Sequence, residues 1–86
     1  MNDITYKITR LIAVIKEESG GWAIELNEVS WNGAESKYDI RRWNADHTKM
    51  GKGITLTRAE AANLFLALQE ELKRTKLSEK SQTTTD

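Results

Sequence analysis

The feature that most constrains the fold is a change of apolar period at Thr57. Before it, residues 4–56 hold four segments in which apolar and polar residues alternate, separated by glycine-containing or polar stretches at 19–21, 32–33 and 45–51. A period of two is that of a β-strand, and these separators are typical of turns. After Thr57, apolar residues recur at spacings of three and four, as on one helix face. The pattern predicts an α+β chain, β-β-β-β-α, in which a curved four-stranded antiparallel sheet precedes one C-terminal helix.

The first two strands predict a sheet with cover on both sides. The stretch 4–17 is apolar at both parities in its middle, which a strand shows when both of its faces are covered. In the stretch 22–31 the apolar parity changes near Asn27-Glu28, and this slip predicts a bulge or bend there. Asn32-Gly33 predicts the turn into the third strand, because both residues tolerate a positive φ.

The helix has a clear start and an amphipathic face. Thr57 and Glu60 fit a capping box, in which each side chain bonds the other residue's backbone N–H. The apolar positions that follow are expected to cover one face of the sheet: Ala61, Leu64, Phe65, Leu68 and Leu72. The sequence predicts one domain at 1–75 and a disordered polar tail at 76–86.

Composition excludes several classes of function. The 86 residues contain no cysteine and one histidine, so thiolate zinc sites, disulfides and histidine-rich metal sites are excluded, and no cofactor or metal is expected. No apolar stretch approaches the ~20 residues that span a bilayer, and the N-terminus does not resemble a signal peptide. We therefore expect a cytoplasmic, nucleoid-associated protein. Asp39, Asp46 and His47 are the candidates for acid–base catalysis, but they are interpreted as solvated polar residues, so no enzyme activity and no small-molecule substrate are expected.

Charge is concentrated in the middle of a chain whose formal net charge is zero. Residues 37–52 carry five cations against two carboxylates. On the third strand, Lys37, Arg41 and Trp43 share the parity opposite to Tyr38 and Ile40, so they are expected on the face away from the helix, with Trp43 exposed there instead of in the core. Cations that follow a phosphate backbone and aromatic rings that stack on bases are the usual means of binding single-stranded nucleic acid. The predicted nucleic-acid-binding residues are Trp31, Lys37, Arg41, Trp43, Lys49 and Lys52.

Two further sets of residues admit alternative interpretations. The predicted homodimer interface includes Leu66, which lies off the main helix stripe, and Arg42, which shares the parity of the helix-covered face. Trp31 fits a core position as well as a binding surface. The competing function is a protein–protein interaction module, in which the aromatic strand face binds a protein and the cations only keep the chain soluble.

Two segments resemble a known family. Tyr38-Asp39-Ile40-Arg41-Arg42-Trp43 and Met50-Gly51-Lys52-Gly53-Ile54-Thr55-Leu56-Thr57, followed by the helix, are similar to the positive cofactor 4 family of transcriptional coactivators, above all to its small bacterial YdbC-type members. The likeness extends over about residues 4–72. It implies a homodimer that binds single-stranded DNA with little sequence preference, without catalysis or metal; RNA is a further candidate ligand.

The resemblance assigns roles position by position. Arg41 matches the family's sheet arginine, Lys52 the lysine that opens the last strand, and Trp31 the aromatic residue before the hairpin turn. Trp43 matches an aromatic residue with a shift of about one position, and Lys49 a loop lysine approximately. The chain departs from the eukaryotic coactivator in its shorter loop before Lys52, in a 32–36 hairpin without cations, and in lacking a serine-rich N-terminal region. Fewer hairpin cations imply that each subunit binds fewer phosphates.

Overall fold

The chain forms one open antiparallel sheet followed by one helix. The computed structural model describes residues 4–85, with side chains over 4–74. The elements are β1 (Tyr6–Glu17), β2 (Ala23–Trp31), β3 (Lys37–Trp43), β4 (Met50–Leu56) and α1 (Arg58–Thr85), with a 3-10 turn at Ser19–Gly21. The strands lie in the order β1-β2-β3-β4, so β1 and β4 are the two edges. This confirms the predicted β-β-β-β-α fold.

Strand β1 is longer than the strand it pairs with. Its 12 residues lie opposite the nine of β2, and the register shifts three times, between Ile8 and Arg10, Leu11 and Ala13, and Val14 and Lys16. Each shift leaves one extra residue on β1, which is the definition of a β-bulge and increases local twist. From Ile8 onward, the side chains of β1 therefore return to the same sheet face every third residue instead of every second.

The bulge predicted for β2 near Asn27-Glu28 lies instead on the neighbouring strand, β1. Ala23 to Val29 pair with β3 without a shift, so β2 itself is regular. The irregularity near Asn27-Glu28 belongs to the facing residues of β1. The parity change in β2 arises because its apolar side chains are distributed over both faces of the sheet.

Among the residues whose side chains are described, the fully buried ones lie on one face of the sheet. They are two hydrophobic and two polar residues: Val29, Trp43, Asn27 and Asp39. The rings of Tyr6 on β1 and Trp43 on β3 are 5.3 Å apart, although β2 lies between those strands. Tyr6 lies opposite Trp31 and Trp43 opposite Ala23, so in a flat sheet the two residues would be about 26 Å apart along the strands and about 9.6 Å apart across them. The rings can meet only because the sheet curls toward this side, which we call the aromatic face.

The expectation that Trp43 stands exposed on the aromatic face is wrong. Its side chain has 0% exposure, and its ring centroid lies 5.3 Å from that of Tyr6 and 5.6 Å from that of His47. Its indole N–H is buried with no acceptor among the described residues, so packing holds this ring in place. Strand parity correctly predicts the face, but not that the curled sheet and the β3–β4 loop close over it.

Helix α1 begins as predicted. The Thr57 backbone N–H donates to Glu60 Oε1 at 2.8 Å, and the Glu60 N–H donates to Thr57 Oγ1 at 3.2 Å, which completes the capping box. The helical backbone extends to Thr85, beyond the start of the predicted tail at residue 76. The side chains of 75–86 and the backbone of Asp86 lie outside the described residues, and the disorder predicted for 76–86 stays a prediction.

The apolar stripe of α1 is not covered by its own sheet. Ala61 is half-buried, whereas the other four stripe residues, Leu64, Phe65, Leu68 and Leu72, are exposed, as is Leu66. The helix follows β4, an edge strand, and extends away from the sheet after its first turns. The expectation that the whole stripe packs on the sheet is therefore wrong for the isolated chain. Within the described residues, no helix is long and apolar enough to span a membrane.

Replacing Trp43 by alanine should destabilise the fold itself. Truncating a buried tryptophan removes its packing and leaves a cavity, at a cost of about 3–5 kcal/mol. Trp22→Ala is the matched control, because Trp22 is only half-buried. Chemical denaturation should show a much larger loss of stability for Trp43→Ala; equal losses for the two variants would contradict the assignment of Trp43 to the core.

Candidate nucleic-acid interface

The aromatic face brings together residues from all four strands. In the β2–β3 register, Asn27 lies opposite Asp39 and Glu25 opposite Arg41, so alternate residues of the two strands share this face. Arg41 in turn lies opposite Gly53 of β4. Of the predicted binding residues, Trp31, Lys37, Arg41 and Trp43 share this face, since Lys37 lies opposite the buried Val29.

Arg41 is held by a buried carboxylate. Its Nε and Nη2 donate to the two oxygens of Asp39 at 2.7 and 2.8 Å, and Asp39 Oδ2 also accepts from Thr55 Oγ1 at 3.0 Å. The Asp39 side chain has 0% exposure and that of Arg41 has 13%. Two parallel hydrogen bonds fix the guanidinium plane, and leaving such a carboxylate unpaired would be costly. Arg41 is thus oriented by the protein before any ligand binds.

The oriented guanidinium lies on an aromatic ring. Arg41 Cζ is 4.7 Å from the centroid of Trp31, within the range of a cation–π contact. Tyr6 packs against the same tryptophan with its ring centroid at 5.9 Å. One side of the half-buried Trp31 ring is therefore occupied by Arg41, and only its remaining surface is open to a ligand.

The Lys52-Gly53 segment makes room for Arg41. A Cβ added to Gly53 would overlap Arg41 Cβ and the carbonyl oxygen of Ile40. Arg41 Nη1 also donates to the carbonyl of Gly51 at 3.3 Å, so both glycines of β4 contribute to its placement. Glycine at 53 is required by this close approach of two strands and not by backbone conformation.

The predicted lysines are exposed around this arrangement. Lys37 lies at the start of β3, Lys49 in the β3–β4 loop, and Lys52 on β4 between Gly51 and Gly53. Among the described residues none of the three forms an ion pair, whereas Arg41 does. Their ammonium groups are therefore available to an anionic ligand.

A polar network, not found from the sequence, secures the β3–β4 loop. His47 Nε2 lies 2.8 Å from Glu25 Oε1, and the Tyr6 hydroxyl donates to the His47 carbonyl at 2.6 Å. His47 has a φ of 61°, which is unusual for a residue with a side chain. These contacts hold the loop that carries Lys49 over the aromatic face. A polar loop with a single histidine gives no signal of such pairing in the sequence.

The three acid–base candidates do not form one site. Asp39 binds Arg41, His47 contacts Glu25, and Asp46 accepts from the hydroxyl and backbone N–H of Thr48. Those hydrogen bonds lower the pKa of Asp46 from its ordinary value. Among the described residues, no group of three or more His, Asp or Glu side chains could hold a metal ion.

The two predicted dimer residues lie in different settings. Leu66 is exposed on α1. Arg42 donates to Glu18 Oε1 at 2.7 Å and lies 4.6 Å from the Trp22 centroid, beside the 3-10 turn. Arg42 therefore has partners within its own chain, and its role in a dimer stays a prediction.

Replacing Gly53 by alanine should displace Arg41, and the neighbouring glycine provides the control. Forcing a methyl group into this contact should cost about 1–3 kcal/mol of stability. A Cβ on Gly51 would meet Arg42 Cβ at an ordinary 3.6 Å, so Gly51→Ala should change stability little. Denaturant midpoints of the two variants test this, and a Gly53→Ala protein as stable as Gly51→Ala would contradict the close approach.

Comparison with known proteins places this arrangement in a family. Residues 19–66, which include β2, β3, β4 and the start of α1, match the family described as Transcriptional Coactivator p15 (PC4). A protein of Treponema pallidum (strain Nichols), described as an uncharacterized protein, is 49% identical over 63 residues, which is 73% of this chain and 74% of the relative. The region that matches the family contains the Asp39–Arg41 pair, Trp31 and the Gly53 contact. The chain belongs to the PC4 family and is a bacterial-type member of it.

Proposed function

We propose that this protein binds single-stranded DNA as a homodimer, with little overall sequence preference and without catalysing a reaction. The observation that carries the proposal is membership of a DNA-binding family through the segment that forms the aromatic face. The processes that expose single strands are transcription, replication and repair, and a transcription-related role fits the family. For this function the protein would be located in the cytoplasm, in association with the nucleoid.

The exposed lysines are proposed as the groups that bind phosphate. Lys37, Lys49 and Lys52 are exposed and form no ion pair within the described residues. Neutralising phosphates releases counterions, which is the main source of affinity in non-specific binding. Arg41 also remains a proposed binding residue, but its charge is balanced by Asp39, so its main effect would be to orient Trp31.

Base stacking is proposed for Trp31 alone. The ring is half-buried, and one side already contacts Arg41. Its remaining surface can contact a base, at about 1–3 kcal/mol for each stacked base. Trp43 is withdrawn from this role because it is fully buried.

Binding can be tested with a fluorescein-labelled, 20-nucleotide oligo-dT at two salt concentrations. We expect salt-sensitive binding, with much weaker binding of the same-length duplex. The double variant Lys49→Ala/Lys52→Ala should bind more weakly and should lower the salt slope by about 0.7 for each phosphate that the protein no longer neutralises. Lys7→Ala/Lys16→Ala removes the same charge from exposed positions on the opposite face of the sheet and is the control.

The negative outcomes of this titration have distinct meanings. A salt-independent interaction, or no binding of any oligonucleotide, would contradict the proposal and favour a protein-interaction module. Equal affinity for oligo-dT and oligo-rU would add RNA to the ligands, and equally weakened binding in both double variants would remove Lys49 and Lys52 from the site.

The exposed apolar surface of α1 supports the homodimer. Phe65 and Leu66 are each 59% exposed, and a groove of about 410 Å³ runs between Phe65 and the Leu26 and Tyr38 side of the sheet. A second groove of about 470 Å³ follows the helix past Leu68. A helix with such a surface is rarely stable in water by itself. A second copy offers a row of the same apolar residues, which matches the apolar lining of the groove in chemistry.

Introducing a charge on this surface should separate the subunits. Sedimentation equilibrium should give twice the 9.8 kDa chain mass for the wild type and a lower mass for Leu68→Glu. Asn63→Glu places the same charge on an exposed polar position of α1 and should leave the dimer intact. A wild-type protein that sediments as a monomer at all concentrations would contradict the dimer without affecting the DNA-binding test.

A further inference from the structure

A cavity on β1 and β2 is not explained by the contacts proposed so far. It has a volume of about 220 Å³, and its lining residues are Leu11, Ile12, Ala13, Val14, Glu25 and Asn27. In the β1–β2 register, Leu11 lies opposite Asn27 and Val14 opposite Glu25. The cavity therefore opens on the aromatic face, beside the network that holds the Lys49 loop.

The walls of the cavity are apolar and exposed. Leu11 is 64% exposed and Val14 is 54% exposed, although both are large aliphatic residues. The bulges of β1 bring them to the aromatic face together, because each bulge shifts the next side chain by one position. Two aliphatic side chains that line one cavity can make apolar contact with a flat ring.

The floor of the cavity carries one acceptor without a partner. Glu25 Oε1 accepts from Asn27 Nδ2 at 2.9 Å and lies 2.8 Å from His47 Nε2, whereas Oε2 receives no hydrogen bond from the described residues. Asn27 is 1% exposed, so it fixes the Glu25 carboxylate from beneath. An ionised carboxylate only accepts hydrogen bonds, so the ligand atom that meets Oε2 must be a donor.

We propose that this cavity takes one nucleobase of the bound single strand and prefers a base with an exocyclic amino group, such as cytosine. The inference rests on the proposed single-strand binding. The cytosine N4 amino group donates to carboxylates, whereas the corresponding group of thymine is the acceptor O4, which the carboxylate repels. The base edges of a single strand are unpaired and free to make this contact.

The test compares two oligonucleotides with two variants. Wild-type protein is titrated with labelled dT20 and with a 20-nucleotide strand in which every second thymidine is replaced by deoxycytidine. We expect about fivefold tighter binding of the cytosine-containing strand, the gain typical of one hydrogen bond. Glu25→Gln keeps one side-chain oxygen for Asn27 and His47 and replaces Oε2 by an NH2 group, which donates hydrogen bonds. The preference for cytosine should therefore vanish or reverse toward thymine.

A charge-matched control separates base recognition from electrostatics. Glu35→Gln removes the same charge from an exposed position in the β2–β3 loop. This variant should raise the affinity for both oligonucleotides by the same factor, so the ratio of the two affinities should not change. An unchanged ratio in Glu25→Gln, with binding of dT20 intact, would overturn the cavity proposal while single-strand binding stands. Failure of the wild type to bind either strand would overturn both.

A second variant keeps the test valid if Glu25→Gln fails to fold. Leu11→Ala removes an exposed wall of the cavity, so its fold should persist, as thermal denaturation will check. Because an apolar contact does not distinguish cytosine from thymine, Leu11→Ala should weaken the binding of both oligonucleotides by a similar factor. Wild-type affinity for both oligonucleotides in folded Leu11→Ala would exclude the cavity as a base-binding site.

Discussion

The contact between Tyr6 and Trp43 is the interaction on which the rest of the structure depends. It joins β1 to β3 over the strand between them, so it exists only in a curled sheet. The same tyrosine anchors the β3–β4 loop through its hydroxyl and packs on Trp31. One packing arrangement, centred on Tyr6, thus accounts for the curl of the sheet, the position of the β3–β4 loop and the packing around Trp31. A protein of 86 residues buries little surface, and this chain concentrates that burial on the side used for its proposed function.

Arginines and lysines are used differently in this sheet. Arg10, Arg41 and Arg42 each pair with a carboxylate of the same chain, and two of them also lie on tryptophan rings. Pairing with Glu28 raises the pKa of Arg10 above its ordinary value. A planar guanidinium suits bidentate and stacked contacts, whereas an ammonium on a flexible stem suits a mobile phosphate chain. The zero net charge therefore conceals two populations of cations: arginines that pair with carboxylates of the sheet, and exposed lysines that form no ion pair among the described residues.

Local signals in the sequence predict local structure well. The Thr57–Glu60 capping box is present, and Asn32 and Gly33 both adopt a positive φ, as their turn requires. Parity correctly assigns Arg41 and Trp43 to one face. It fails for the burial of Trp43, because that burial depends on Tyr6 and His47, which are distant in the chain or lie in an irregular loop. The Glu25–His47 pair and the cavity beside it are missed for a related reason: bulges on one strand decide what lies opposite residues of another.

The three bulges of β1 have a consequence for association between chains. A sheet edge with regularly spaced free N–H and C=O groups can recruit a strand from another molecule, and such pairing leads to aggregation. On β1 the spacing is interrupted every third residue, so an incoming regular strand could match only two or three successive groups. The apolar side chains of this edge can thus stay in water without turning the sheet into a template for fibres. The irregularity that opens a cavity on one face also protects the edge.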